Sequence, residues 1–364
     1  MSRAHNGVTI VIAAGGTGGH VYPALEIAKR LRARGINVEW LGTHKGLEAE
    51  LVPGQGFKLH ALSLGGLRGK GLFRLLLAPL MLIAALGSSV KVLRSVRARL
   101  VLGMGGYAAG PGGVAAWLVR VPLFIHEQNA VPGLTNRILS RLASKVMEAF
   151  PGSFDPRVGA LHTGNPVRAD IGALPEPETR LANRAGPIRV LVLGGSQGAR
   201  AINRVLPAAL EALPSRELVE VRHQAGSRHL EDTRALYARA GVDVEPLAFI
   251  DDMAAAYAWA DLVICRAGAM TVCELAAAGV AAVLVPFPYA VDDHQTRNAR
   301  FLSDAGAAVL VRESDLTPAL LCELLLEFAS ARQRLLTMAT RARRLSVPDA
   351  AERVTSWCME AAHA

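Results

Sequence analysis

The sequence predicts an α/β protein made of two Rossmann-like domains, each with a parallel sheet. Three observations predict it. Short β-rich apolar runs alternate along the chain with glycine turns and helical patterns, the mark of parallel β-α-β units. The unit "VTIVIAAGGTGGHVYPAL" at Val8 has a counterpart at Ile188, "IRVLVLGGSQGARAINRVL", in the same order of strand, Gly-Gly-Thr/Ser, short loop and helix. Between them lies "TGNPVRADIGALPEPETRLANRAGP", Thr163 to Pro187, whose prolines and glycines mark a boundary. We place the first domain at 1–165 and the second at 166–347. Pro348 breaks a helix, and "DAAERVTSWCMEAA" makes 348–364 a final helical segment.

Composition supports two buried cores. The chain has 364 residues, 51% hydrophobic and 20% charged, which argues against disorder. Forty basic residues against 31 acidic ones leave a net charge of +9, favouring anionic ligands. Aromatics are only 5% and no basic run is interleaved with them. Lipid headgroups or nucleotide phosphates therefore fit better than nucleic acid, and no nucleic-acid partner is expected. Cys265, Cys273, Cys322 and Cys358 form no C-x-x-C pair, so they read as reduced thiols rather than as a disulfide or zinc framework. "VTIVIAA" runs into glycines without a cleavage site, and a cytoplasmic protein is expected. "LLLAPLMLIAAL", Leu75 to Leu86, is interrupted by Pro79 and falls short of the roughly 20 residues a membrane crossing needs. Arg68, Lys70 and Arg74 precede or open it, and Lys91, Arg94, Arg97 and Arg99 follow. It reads either as a core helix or as an apolar face resting on an anionic leaflet.

In open α/β sheets ligands sit beyond the carboxyl ends of the strands, so each loop after a strand is a candidate site, and two facing domains would leave a cleft. The first loop, "AGGTGGH", brings glycine backbone and a helix start, both suited to phosphate. It is neither G-x-G-x-x-G, since Val21 takes the third glycine position, nor a Walker A loop. His20 at its end suits a general base near neutral pH, or else a structural cap. The second, "GMGGYAAGPGG" from Gly103 to Gly113, follows "RLVLG"; it suits a second phosphate or a packing turn, with Tyr107 available to a ligand. The third, "HEQNAVPGLTN" from His126, follows "VPLFI" and offers His126, Glu127, Gln128 and Asn129 to sugar hydroxyls.

The fourth loop, "GGSQGAR", echoes the first and adds Ser196 and Gln197 as donors to a diphosphate. The fifth follows the strand "DLVIC": Arg266 to Ala269 form a turn and Met270 opens a helix. Glu274, one turn in, has the acceptor-only chemistry that a ribose diol needs. After the next strand, "PFPYAVDDHQTRNA" crowds Asp292, Asp293, His294, Gln295 and Asn298 together. No D-x-D occurs, so no metal site built on spaced aspartates is indicated. Backbone amides, helix dipoles and Arg168 of "NPVR" would have to meet diphosphate charge.

Taken together, "GGTGGHVYPAL", "GMGGY", "HEQNAVPGLTN", "TGNPVR", "GGSQGAR" and "RAGAMTVCELAAAG" with "DDHQTRNA" resemble the MurG family. The motifs stand in the family's order from Gly15 to Asn298. The resemblance implies the GT-B glycosyltransferase fold, with the last helix returning to the first domain. It implies inverting, metal-independent transfer of GlcNAc from UDP-GlcNAc, without a cofactor. The acceptor it implies is the 4-hydroxyl of MurNAc-pentapeptide-diphospho-undecaprenol (lipid I), giving lipid II for peptidoglycan at the cytoplasmic face of the bacterial inner membrane, with the protein attached peripherally. The first domain would serve the acceptor and membrane, the second UDP-GlcNAc. By the same resemblance Thr17, Gly18 and Gly19 lie near the phosphates, and His20 matches the general base, with Glu127 the alternative. Asn129 meets the donor sugar, Arg168 and Ser196 the diphosphate, Ile250 the uracil, and Glu274 the ribose. Ala269, Met270, Thr271, Val272 and Cys273 wrap the nucleotide, and Gln295 reads GlcNAc hydroxyls.

Three other readings share parts of the pattern. A UDP-GlcNAc 2-epimerase has the same two-domain plan but no use for a basic-flanked apolar segment. A dehydrogenase rests on Glu39, 20 residues after Gly19. A nucleotide-sugar sensor would keep Glu274 and Ser196 but not need His20.

Overall fold

The computed structural model describes residues 7–63, 72–194 and 199–364, with 72–78 described for their backbone alone. The chain divides into two compact units, Met1–Val167 with Asp349–Ala364, and Arg168–Pro348. The first contains β1 (Thr9–Ala13), α1 (Gly18–Ala33), β2 (Asn37–Thr43), α2 (Glu48–Gly54), β3 (Lys58–Leu62), α3 (Leu72–Ser95), β4 (Ala98–Gly103), α4 (Ala109–Leu118), β5 (Leu123–Glu127), α5 (Leu134–Leu139), β6 (Lys145–Glu148) and β7 (Leu161–His162). The second contains α6 (Ala169–Gly172), α7 (Pro177–Leu181), β8 (Ile188–Leu193), α8 (Arg200–Glu211), β9 (Val219–Gln224), α9 (Leu230–Arg239), α10 (Met253–Trp259), β10 (Leu262–Cys265), α11 (Ala269–Ala278), β11 (Ala281–Leu284), α12 (His294–Ser303), β12 (Ala308–Leu310), α13 (Pro318–Ser330) and α14 (Arg332–Arg344). The last helix, α15 (Ala350–His363), belongs to the first unit.

In the first unit seven parallel strands run in the order β3-β2-β1-β4-β5-β6-β7. β1 is "TIVIA" because it is buried on both faces, as central strands of parallel sheets are. Its side chains alternate between two cores: Ile10 and Ile12 pack with α1 and with Val354, Cys358 and Ala362 of α15, while Val11 and Ala13 pack with Leu93 of α3 and Ala115 and Ala116 of α4. Arg34 anchors α15 by an ion pair in which its Nη2 lies 2.7 Å from both carboxylate oxygens of Glu352. The chain first builds outward through β2 and β3 and then crosses to β4. The topological switch therefore lies between β1 and β4, where ligands of such sheets bind. In the second unit five parallel strands run β12-β11-β10-β8-β9, with the switch between β8 and β10. Both units are thus α/β with parallel sheets, as the alternating pattern implies.

The structure refines the sequence reading in three places. The Gly- and Pro-rich run from Gly103 to Gly113 is not one loop, since α4 begins at Ala109. Its glycines let α4 lie close to its neighbours: a Cβ on Gly113 would stand 2.7 Å from Leu139. The stretch 168–187, read from the sequence as marking a boundary, is ordered. It folds onto the second unit, where Arg180 reaches the carbonyls of Tyr257 and Gly279, and Arg184 those of Ala258 and Trp259 and the carboxylate of Asp261. These cations sit at the C-terminal ends of α10 and α11, where the helix dipole favours them. Burial lowers the Arg180 pKa to about 10. In α3, finally, Leu80, Leu82 and Ile83 are exposed, at 63%, 47% and 66%, so this part of the segment is not a core helix. No helix among the described residues is long and apolar enough to cross a membrane.

Candidate active site

In the first unit, loops leaving the carboxyl ends of β1, β4 and β5 converge. The loop after β1 is pinned by Glu48, a fully buried carboxylate at the start of α2. Its Oε2 accepts from Gly16 N at 2.8 Å, and its Oε1 from the Thr43 amide and hydroxyl at 2.9 and 2.7 Å. Sequence reasoning missed this residue, because nothing in "KGLEAE" separates it from the exposed Glu50. The loop after β4 lies directly over the first. A Cβ on Gly106 would collide with the carbonyl of Gly15, and one on Gly105 would stand 2.7 Å from His20 Nδ1. Both glycines are left-handed, at φ +81° and +88°, so the crossing requires them twice over. Tyr107 follows and is 54% exposed.

Thr17 precedes α1 in an extended conformation, and its hydroxyl does not cap the helix. Gly18, Gly19 and His20 form the first turn, half-exposed. His20 Nδ1 lies 2.8 Å from Gln128 Oε1 in the third loop. Gln128 Nε2 lies 3.1 Å from both His126 Nδ1 and the His126 carbonyl. His126 Nε2 in turn lies 3.0 Å from Gly164 O and 3.1 Å from Thr163 Oγ1. Burial lowers the His126 pKa to about 4 and keeps its imidazole neutral.

Glu127 is buried beside them, but its carboxylate is fully occupied. Oε1 accepts from the amide and side chain of Asn129 at 3.0 and 3.2 Å; Oε2 accepts from Gly133 N at 3.1 Å and Asn136 Nδ2 at 2.9 Å. It shapes the loop that presents Asn129. Glu39 is also engaged: its Oε2 lies 2.6 Å from His60 Nε2 and 3.6 Å from Lys58 Nζ on the adjacent strand. That pairing gives Glu39 a structural role in place of the ribose contact a dehydrogenase would need.

In the second unit α11, which follows β10, packs against α6 together with α10. Glu274 Oε2 accepts from the Tyr257 hydroxyl at 3.0 Å, and its Oε1 lies 3.7 Å from Arg168 at the head of α6. Burial raises the Glu274 pKa; Arg168 and the Tyr257 bond pull it back. Tyr257, itself held well above the usual tyrosine range by burial, is a partner the sequence did not reveal. Ala269 to Cys273 form the start of α11 behind an extended Gly268, with Ala269 and Val272 in the core and Met270, Thr271 and Cys273 partly exposed. Gln295 Oε1 accepts from Phe287 N at 2.9 Å, which fixes the loop after β11. Asn298 Nδ2 donates to Ala267 O at 3.2 Å and ties α12 to the turn after β10. Asp292 and Asp293 both adopt left-handed backbone, at φ +53° and +50°. Ile250 is half-buried ahead of α10, which Asp252 caps through Ala255 N at 2.8 Å. Ser196 lies outside the described residues.

The chain matches known proteins over both units. Residues 10–148 match the glycosyltransferase family 28 N-terminal domain, and residues 189–354 the family's C-terminal domain. It is 54% identical over 350 residues to the UDP-N-acetylglucosamine--N-acetylmuramyl-(pentapeptide) pyrophosphoryl-undecaprenol N-acetylglucosamine transferase of Marinobacter nauticus, covering 96% of each chain. Its identity to the same transferase of Ralstonia nicotianae is 54% over 359 residues, 98% of this chain and 97% of the relative. The crystal structure of Acinetobacter baumannii MurG superposes with a TM-score of 0.84 at 43% identity, covering 97% of this chain and 99% of that one. A calicheamicin glycosyltransferase shares the fold, at a TM-score of 0.67, 18% identity and 98% coverage of both chains.

Proposed function

The chain belongs to glycosyltransferase family 28, and from that membership we propose that it transfers GlcNAc from UDP-GlcNAc to lipid I, making lipid II for peptidoglycan. One observation carries the catalytic part of this reading: the glycine loops after β1 and β4 close around His20, which Gln128 holds by Nδ1.

His20 Nε2 takes the proton of the acceptor's 4-hydroxyl as that oxygen attacks the anomeric carbon of GlcNAc. General-base assistance of this kind is worth roughly 10²–10⁴-fold. The C1–O bond to UDP breaks, and its electron pair leaves on the β-phosphate. Attack from the face opposite UDP inverts the anomeric centre. Four donors already hold the Glu127 carboxylate, which favours His20 over Glu127 as the base. Glu127 presents Asn129 to the donor sugar. The first-turn amides of α1 at Thr17, Gly18 and Gly19 face phosphate, and Tyr107 borders them.

The second unit serves the nucleotide. Glu274 accepts from the ribose diol, Ile250 offers its backbone to uracil, and residues 269–273 cradle the nucleotide at the start of α11. Arg168 meets the diphosphate and stabilises the charge that develops on UDP, with Ser196 as a further donor. Arg168 and Glu274 pair with one another in the structure; ribose and diphosphate exchange that pair for two substrate contacts. Gln295 offers its amide to GlcNAc hydroxyls. These groups meet the diphosphate charge without a metal ion.

The lipid-linked acceptor places the protein peripherally on the cytoplasmic face of the inner membrane. Leu80, Leu82 and Ile83 of α3 are its apolar contact, followed by Lys91 and Arg94 for anionic headgroups. A transfer assay tests the proposal: labelled UDP-GlcNAc, a short-chain lipid I analogue, mild detergent and EDTA. The expected product is a labelled β-linked disaccharide-lipid. Release of UDP with free ManNAc, or formation of UDP-ManNAc, in the absence of acceptor would instead mark an epimerase.

A further inference from the structure

We propose that Gln128 and His126 are positioning residues that hold the proton of His20 on Nδ1, leaving Nε2 as the bare lone pair. The inference deepens the assignment of His20 as the base and rests on it for its catalytic meaning. The proton positions follow from two backbone carbonyls, which only accept. Gly164 O lies 3.0 Å from His126 Nε2, so Nε2 carries hydrogen. Buried and neutral, His126 then presents Nδ1 as an acceptor. The Gln128 group nearest to it lies 3.1 Å from that nitrogen and 3.1 Å from the His126 carbonyl. Two acceptors surround that group, so it is the NH₂ end of the amide. The opposite end is the oxygen, 2.8 Å from His20 Nδ1, and it can only accept. His20 therefore donates from Nδ1.

Free imidazole side chains favour the Nε2–H tautomer, which would put an acceptor nitrogen against the Gln128 oxygen. The chain of three side chains excludes that form at the cost of a hydrogen bond. Nε2 of His20 has no hydrogen bond to a described residue and is the atom left for the acceptor hydroxyl. After transfer the imidazolium carries hydrogen on both nitrogens and still donates Nδ1–H to a neutral amide. The amide orients the ring without adding the charge a carboxylate would. Titratable groups on the neighbouring segments include Tyr22, Glu48, Tyr107, His126 and Glu127, and His162 acts on His126. The two glutamates are held by their own loops.

The test is ¹⁵N NMR of histidine-labelled protein, with the His20 signals identified by their loss in His20→Ala. The proposal expects protonated Nδ1 and bare Nε2 at pH 8. A dominant Nε2–H tautomer in the wild type overturns it. Gln128→Leu removes the acceptor; His20 should revert toward Nε2–H, and kcat should fall about 10²-fold with donor KM little changed. Gln128→Glu keeps an acceptor but adds charge, and should move the acidic limb of the kcat/KM profile to higher pH. A purely structural glutamine would move neither tautomer nor limb. If the wild type shows Nδ1–H but His20→Ala retains kcat, the tautomer assignment stands and the base assignment falls.

Discussion

Single residues carry most of the chemistry, and their geometry makes two predictions. Glu274 sits in a site that raises its pKa, so the folded protein binds its proton more readily than the unfolded chain does. Its carboxyl favours folding below the ordinary carboxylate range, and that contribution is lost as pH rises through the raised value. Glu274→Gln should therefore melt at a higher temperature than wild type at pH 7, with the gap closing toward pH 4. The same variant loses a charged acceptor for the ribose, and donor KM should rise about 10-fold. A lower melting temperature at pH 7 would mean the carboxylate is structural. Gly106→Ala places a side chain on left-handed backbone against Gly15. It should cost at least about 1–3 kcal/mol by denaturant unfolding and lower kcat as well, since the displaced loop covers His20. The Gly-Gly-Thr-Gly-Gly-His run stood out in the sequence as a candidate site because glycine backbone ahead of a helix suits phosphate. Glu48, Tyr257 and the occupied state of Glu127 did not stand out. Glu48 and Tyr257 depend on partners 32 and 17 residues away, and the donors of Glu127, although near in sequence, converge only once the loop after β5 is folded.

At the scale of elements, central strands were the most legible. β1, β4, β5, β8 and β10 read as apolar runs because both of their faces are covered. β3, β7 and β9 lie at sheet edges, where partial exposure thins the pattern. α4 was hidden by its own packing, since the glycines that bring it against α5 also look like a loop. The order of segment 168–187 was not legible either, because it comes from Arg180 and Arg184 on distant helix ends, not from local propensity. α3 yields a prediction of its own. Leu80→Asp with Ile83→Asp should reduce sedimentation with vesicles of anionic phospholipid about 10-fold or more. Turnover on a detergent-soluble short-chain acceptor should stay within about twofold, because these side chains are exposed and are none of the groups assigned to the transfer. Unchanged vesicle binding would remove α3 as the membrane contact.

For the whole molecule, two sheets with the same switch-point logic place one chemical cluster in each unit. Each unit also buries a neutral histidine: His126 in the first and His223 in the second, both lowered by burial to about 4. Their unfolded counterparts take up protons near 6.5, so stability is present above that value and falls as pH drops from about 6.5 to 4. Each contributes about 3 kcal/mol over that interval. Thermal melts should show both units weakening together between pH 7 and 5, and His223→Asn should flatten the second unit's dependence alone. The domain-scale repeat was legible because strand, glycine turn and helix recur at Val8 and Ile188. The central claim is that His20, presented by these loops, is the group on which transfer depends. Steady-state kinetics of wild type and His20→Ala, with UDP-GlcNAc and a short-chain lipid I analogue, test it most directly. His20→Ala should lower kcat roughly 10²–10⁴-fold with donor KM nearly unchanged. A variant that keeps wild-type kcat would contradict it.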